Sequence, residues 1–126
     1  MFFQKIHHLA INASDYKKTK HFYVNVLGFT ILREHFREEK NDIKLDLQLG
    51  SQELEIFISS AFPPRPSYPE ALGLRHLAFK VENIEEVCRF LEENGIACEP
   101  LRTDDFTGEK MTFFFDPDGL PLELHE

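Results

Sequence analysis

Two histidines and two glutamates occupy matched places in this chain. His8 stands in "HHLAI" (His7–Ile11) and His76 in "RHLAF" (Arg75–Phe79), 68 residues apart, and the same interval separates Glu55 in "LEIFI" from Glu123 in "LELHE". Phe22 also falls on Phe90 at that offset, and the register runs from one pair to the other without a gap. So long an interval is the size of a supersecondary module rather than a solenoid repeat, and the chain reads as a module used twice. Two imidazoles and two carboxylates are the donor set of a borderline divalent ion, six-coordinate if water takes two positions. Two anionic ligands would balance the ion's charge and make burial of both glutamates tolerable. A lone strand histidine or glutamate is ordinarily solvated or hydrogen-bonded. Here residue type, offset and strand parity agree for four residues together. His7, His21, His35 and His125 have no partner at the offset and read as surface or structural residues. Glu53 maps onto Pro121 and is the weaker candidate.

The elements that must position these groups follow from periodicity. In the first half Lys5–Asn12 alternates as a strand, and Ser14 or Asp15 can cap a helix carrying Phe22, Tyr23, Val26 and Leu27, which Gly28 ends. Strands are expected over Phe29–Phe36, Ile43–Leu49 and Glu53–Ser59, with a tight turn at Gly50-Ser51. In the second half Arg75–Val81 is the strand, and Asn83 caps a helix striped by Ile84, Val87, Cys88 and Leu91. Asn94-Gly95 closes that helix, and strands follow at Ala97–Pro100, Lys110–Phe115 and, after "DPDG", Pro121–His125. Prolines at 63, 64, 66 and 69 make the stretch between the halves a semi-rigid connector. The expected organisation is one domain over 1–126, with modules at 1–59 and 75–126 and a linker at 60–74.

Strand parity decides which face each candidate takes. Leu9 and Ile11 form the apolar row of the first strand, which sends His8 to the opposite face with Ala10 and Asn12. By the same rule Glu55 opposes Leu54, Ile56 and Ile58; His76 opposes Leu77 and Phe79; and Glu123 opposes Leu122 and Leu124. All four are expected on the face away from the helices. Two such modules would form a curved mixed sheet enclosing a metal site, an α+β fold, closing within one chain or between two. Lys44, Asp46 and Gln48 are expected to face the cavity in the first half, and Thr112 and Phe114 in the second. Lys80, Arg33, Arg65 and Arg102 are candidates to hold an acidic substrate.

Composition limits the partners. A chain of 126 residues is large enough for one core but not two ordinary ones. A net charge of −8 with no basic stripe argues against nucleic acid. No apolar run approaches a membrane span, and the opening Met-Phe-Phe-Gln-Lys is not a secretory signal. Cys88 and Cys98 lie in apolar patterns without metal-like spacing, as reduced thiols would in a cytoplasmic protein. A small-molecule partner is expected.

The stretches "IHHLAI", "DYKKTKHFYVNVLGF", "LEIF", "GLRHLAFKV" and "DPDGLPLEL" together resemble the vicinal oxygen chelate superfamily. That group contains glyoxalase I, methylmalonyl-CoA epimerase, extradiol dioxygenases and fosfomycin-resistance proteins. "FPPRPSYPEALGLRHLAFKV" looks most like a bacterial glyoxalase-like subgroup. The resemblance implies His8, Glu55, His76 and Glu123 as ligands of one divalent ion, Zn or Ni first, with Co, Mn or Fe as alternatives. It also implies a homodimer. A His/Glu/His/Glu set resembles glyoxalase I; the dioxygenases and fosfomycin-resistance enzymes typically show two His and one Glu, and the epimerases commonly carry Gln at the second position. Bacterial glyoxalase I carries an Arg four residues after the first-strand His. Asn12 stands there in this chain, which argues against glutathione.

The implied activity is that of a lyase or isomerase, in which a Lewis-acidic ion stabilises an enediolate of a small oxygenated substrate. Glu123 is the expected base, with Glu55 its pseudosymmetric counterpart. Alternative readings are an epimerase of the methylmalonyl-CoA type, a ring-cleaving dioxygenase, and a non-catalytic small-molecule binding module.

Overall fold

A computed structural model describes all 126 residues, Met1 to Glu126. The chain forms two compact units, Met1–Pro63 and Pro64–Glu126. In the first, β1 (His8–Ala13) leads to α1 (Tyr16–Lys20), which continues as a π-helical turn over His21–Val26; β2 (Thr30–Arg37), β3 (Asp42–Leu49) and β4 (Gln52–Ile58) follow. The strand order is β1-β4-β3-β2, with β1 parallel to β4 and the other neighbours antiparallel. In the second, β5 (Leu77–Lys80), α2 (Ile84–Glu93), β6 (Arg102–Thr103), β7 (Lys110–Phe115) and β8 (Pro121–His125) make a sheet of order β5-β8-β7-β6 with the same directions. Each unit is thus a βαβββ module with a mixed sheet, the α+β class that the periodicity predicts. No helix is long and apolar enough to cross a membrane.

The helices start where short polar side chains can satisfy free N–H groups. Asp15 accepts from the backbone N–H of Lys18 at 2.8 Å, and Asn83 from that of Glu86 at 3.0 Å. Both helical segments end on a glycine with positive φ, Gly28 at +86° and Gly95 at +77°. That left-handed conformation costs a residue with a Cβ about 1–2 kcal/mol.

The two modules are not related by one uninterrupted offset. The Tyr23 carbonyl accepts from Phe29 N–H, and the Leu91 carbonyl accepts from Ile96 N–H, both at 2.9 Å. Tyr23 and Leu91 are 68 apart, but Phe29 and Ile96 are 67 apart. The first module therefore holds one extra residue, and the π-helical turn absorbs it: Leu27 N–H reaches back five residues to Phe22 O at 2.9 Å. The offset of 67 persists into the next strands, where Phe36 pairs with Ile43 as Thr103 pairs with Lys110. It returns to 68 in the last strand, because Asp46 opposes Glu55 whereas Phe113 opposes Glu123. The "DPDG" turn supplies the compensating residue. Asp116 Oδ1 accepts from the N–H groups of both Asp118 and Leu120 at 2.9 Å, which fixes the longer turn. The gapless repeat is corrected accordingly: it holds at the candidate residues and slips between them.

The expected strand at Ala97–Pro100 is also corrected. Pro100 has no N–H to donate, and a single bond from Glu99 N–H to Phe113 O, 2.9 Å, stands before the short ladder at Arg102–Thr103.

Alternation sets the cores. Leu45, Leu47 and Ile56 are fully buried in the first unit with Tyr23; Leu122, Phe114 and Leu91 are buried in the second with Ile84. Burying each such side chain contributes about 1.5–3 kcal/mol. These rows pin the sheet registers, since a one-residue slip would turn them to solvent.

Candidate functional site

His8 is the first residue of β1 and Glu55 lies within β4, level with Ala10. His8, Ala10 and Asn12 form the exposed row of β1, while Ile11 and Ala13 are buried. In β4, Glu53, Glu55 and Phe57 are half-buried and Leu54, Ile56 and Ile58 are buried. Parity therefore places both candidates as their sequence context requires. His8 Nε2 lies 3.3 Å from Glu55 Oε2. Two donor atoms bound about 2.1 Å from one ion, at adjacent tetrahedral or octahedral positions, are about 3.0–3.4 Å apart. The His8–Glu55 separation lies within that range.

Both groups are held from behind. Glu55 Oε1 is 3.3 Å from Lys44 Nζ, which also lies 3.1 Å from Asp46 Oδ1. Burial works against the Lys44 charge, but hydrogen bonds to Asp46 and Glu55 outweigh it and raise its pKa above the ordinary lysine value. Arg33 Nε donates to the other Asp46 oxygen at 2.7 Å. Lys44 and Asp46 thus share the face of Glu55, as the alternation of β3 predicts.

His7 has a contact that parity alone could not reveal. Its Nδ1 is 3.0 Å from His8 Nδ1, with the two rings edge-on at 5.2 Å. His7 precedes the first ladder residue, so strand alternation does not bind it. A hydrogen bond at one ring nitrogen fixes the tautomer and leaves the other nitrogen free for a ligand role.

In the second unit His76 stands just before β5 and is half-buried, with its ring edge-on to Phe113 at 5.2 Å. Glu123, 8% exposed, lies in β8 level with Ala78 and opposite Phe113. The pairing Ala78–Glu123 reproduces Ala10–Glu55 at an offset of 68, so both parallel ladders carry their candidates at the same level. The surroundings differ, however. Glu55 has a lysine and a histidine within 3.3 Å; the charge near Glu123 is that of His125, two residues along the same strand, whose pKa the bond to Glu126 O raises first and Glu123 also helps to raise.

Thr112 and Phe114 take the opposite face from that expected. They pair with Leu124 and Leu122 and are buried, and Thr112 Oγ1 donates to Glu99 O at 2.6 Å. Phe113 shares the face of Glu123 instead. The cause is the slip to an offset of 67, which flips the parity of β7 relative to β3. In "KMTFFF" both rows carry apolar residues, so composition could not reveal the flip.

No three His, Cys, Asp or Glu side chains gather at metal-binding distances. His125 bonds Glu126 O at 2.8 Å and lies 3.3 Å from Asp104, a structural setting. Both cysteines are free, and burial followed by a bond to Cys88 pushes the Cys98 thiol up to about 12, so it stays protonated and is no nucleophile. Within the second unit a cavity of about 250 Å³ is lined by His76, Phe113, Arg65, Arg102 and Glu99, among others.

Known proteins match this architecture along its length. The structure of a glyoxalase family protein from Enterococcus faecalis superposes with a TM-score of 0.95 at 78% identity, covering 100% of both chains. The uncharacterized protein YwkD of Bacillus subtilis is 53% identical over 127 residues, covering 100% of this chain and 99% of its own. Lactoylglutathione lyase of Salmonella typhimurium is 27% identical over 124 residues, covering 94% of this chain and 90% of its own. The family model described as Glyoxalase/Bleomycin resistance protein/Dioxygenase superfamily matches residues 5–124. With its paired βαβββ units and a match over nearly its whole length, the chain belongs to the glyoxalase/bleomycin resistance protein/dioxygenase superfamily.

Proposed function

We propose that this protein is a divalent-metal-dependent lyase or isomerase of the glyoxalase I type, acting on a small oxygenated substrate. His8, Glu55, His76 and Glu123 form the ligand set in this reading. The observation that carries it is the His8–Glu55 pair, 3.3 Å apart at the spacing of two donors to one ion. The matching level of Glu123 on its own parallel ladder supports the other half of the set. A lactoylglutathione lyase aligned over 94% of the chain supports the reaction class.

A divalent ion held by His8, Glu55, His76 and Glu123 would supply Lewis acidity that lowers the cost of an enediolate. The chain's own groups divide the remaining work. Lys44 holds one oxygen of Glu55, and His8 lies against the other, so Glu55 is the anchored carboxylate. Glu123 is buried and lacks a lysine like the one that holds Glu55, so it is the carboxylate freer to loosen from the ion and take a proton from substrate carbon. Phe113 is its partner across the β7–β8 ladder. Glu123 is therefore assigned as the base and Glu55 as its counterpart. Asn12 continues the exposed row of His8 and offers no cation to a glutathione carboxylate.

The test is turnover of methylglyoxal hemithioacetals formed with several small thiols, using metal-loaded and chelator-stripped protein. Metal-dependent product formation that Glu123→Gln abolishes while retaining the ion supports the assignment. Equal turnover with and without metal contradicts it.

A further inference from the structure

The second unit's cavity has a positive charge that nothing in the protein offsets. Three arginines line it, Arg65, Arg75 and Arg102, against two glutamates, Glu70 and Glu99. Arg75 pairs with Glu70 at 3.2 Å and Arg102 with Glu99 at 3.1 Å. Arg65 has no carboxylate. Its Nη2 donates to the carbonyls of Leu74 and Arg75 at 3.3 and 3.4 Å, and its Nε is buried without an acceptor. A guanidinium with an unsatisfied buried donor and no counter-ion is costly unless something else supplies both. The contrast with the whole chain, at −8, makes this retained charge local rather than compositional.

We propose that Arg65 is the recognition residue for an oxyanion, a carboxylate or a phosphate, carried by the small molecule that occupies this cavity. An oxyanion in the cavity would give the guanidinium the counter-charge it lacks. The two bonds to connector carbonyls hold the guanidinium in place, so little side-chain entropy is lost on binding. A volume of about 250 Å³ has room for a compact acidic group. Because His76 lines the same cavity, the inference rests on the proposed metal-dependent reading and deepens it: the substrate is anionic, and its charged end lies toward Arg65.

Titration of metal-free, ¹⁵N-labelled protein with malonate and, separately, inorganic phosphate tests this, read at the Arg65 Nε–H and His76 ring resonances. Saturable shifts with either probe are expected. Malonate alone would indicate a carboxylate substrate and phosphate alone a phosphate ester. Arg65→Gln should weaken the affinity by ~10-fold or more, and Arg89→Gln, on an exposed face of α2, should leave it unchanged. Arg65→Lys keeps the charge but loses the fork; it should bind several-fold more weakly, and it serves should Arg65→Gln fail to fold. Absence of saturable shifts with both probes, or wild-type affinity in the Arg65 variants, would overturn the proposal. Zinc uptake is measured on the same samples. Wild-type protein that binds anion but takes up no zinc would defeat the metal-dependent reading, and the reverse result would defeat only the anion subsite.

Discussion

His8 Nε2 and Glu55 Oε2 face each other across a parallel strand pair at 3.3 Å, while the other Glu55 oxygen lies 3.3 Å from Lys44 Nζ. The carboxylate is thereby oriented before any ligand arrives. Its counterpart Glu123 has no such support. This asymmetry between pseudosymmetric residues separates an anchored ligand from a mobile one.

Glu123→Gln should retain the ion and lose turnover by about 10²–10⁴-fold, the usual share of a general base. Glu55→Gln should lose metal first and turnover with it. Metal content and kcat measured on the same samples distinguish the two.

Thr112 and Phe113 test the face assignment of β7. Thr112→Val removes the donor to Glu99 O and should cost about 1–2 kcal/mol in chemical denaturation, with anion and metal binding unchanged. Phe113→Ala should instead alter the His76 ring resonances and anion binding, since Phe113 packs on His76 and lines the cavity.

That pair also shows what could be read before the structure. Both strands with one clearly apolar row, β1 and β4, carry His8 and Glu55 on the faces their alternation implies. In β7 every residue from Met111 to Phe115 is apolar or threonine, so register had to come from the slip at the π-helical turn. One inserted residue leaves little trace in sequence, because the longer "DPDG" turn restores the offset before Glu123. The His7–His8 contact was hidden for a different reason: it lies outside the ladder, where parity carries no information.

Gly28→Ala and Gly95→Ala should each lower stability by about 1–2 kcal/mol. A Cβ at either position meets no atom within 4 Å, so the cost is backbone strain alone. Gly28→Asn, which tolerates positive φ better, should recover part of the loss in the same denaturation measurement.

Acid should loosen the link between α1 and β2. Glu34 accepts from Tyr16 at 2.7 Å and from Lys20 at 3.2 Å, and these bonds, Tyr16 first, lower its carboxyl pKa below the ordinary value. A carboxyl depressed in the folded state adds stability that is full above its unfolded pKa and is lost as pH falls through the folded value. Glu34→Gln should therefore narrow the gap in thermal midpoint between neutral pH and the acid range below about pH 4.3. Tyr16→Phe should do the same in part. An unchanged gap would show that the contact carries no pH-dependent stability.

The most direct measurement is the metal content of protein stripped with chelator, re-equilibrated with zinc or nickel, and freed of excess ion. The proposed ligand set predicts one retained ion per chain in the wild type, with clear loss in His8→Ala and in His76→Ala alike. A wild type that retains no ion, or a His76→Ala variant that holds it as tightly as the wild type, would contradict the four-ligand site.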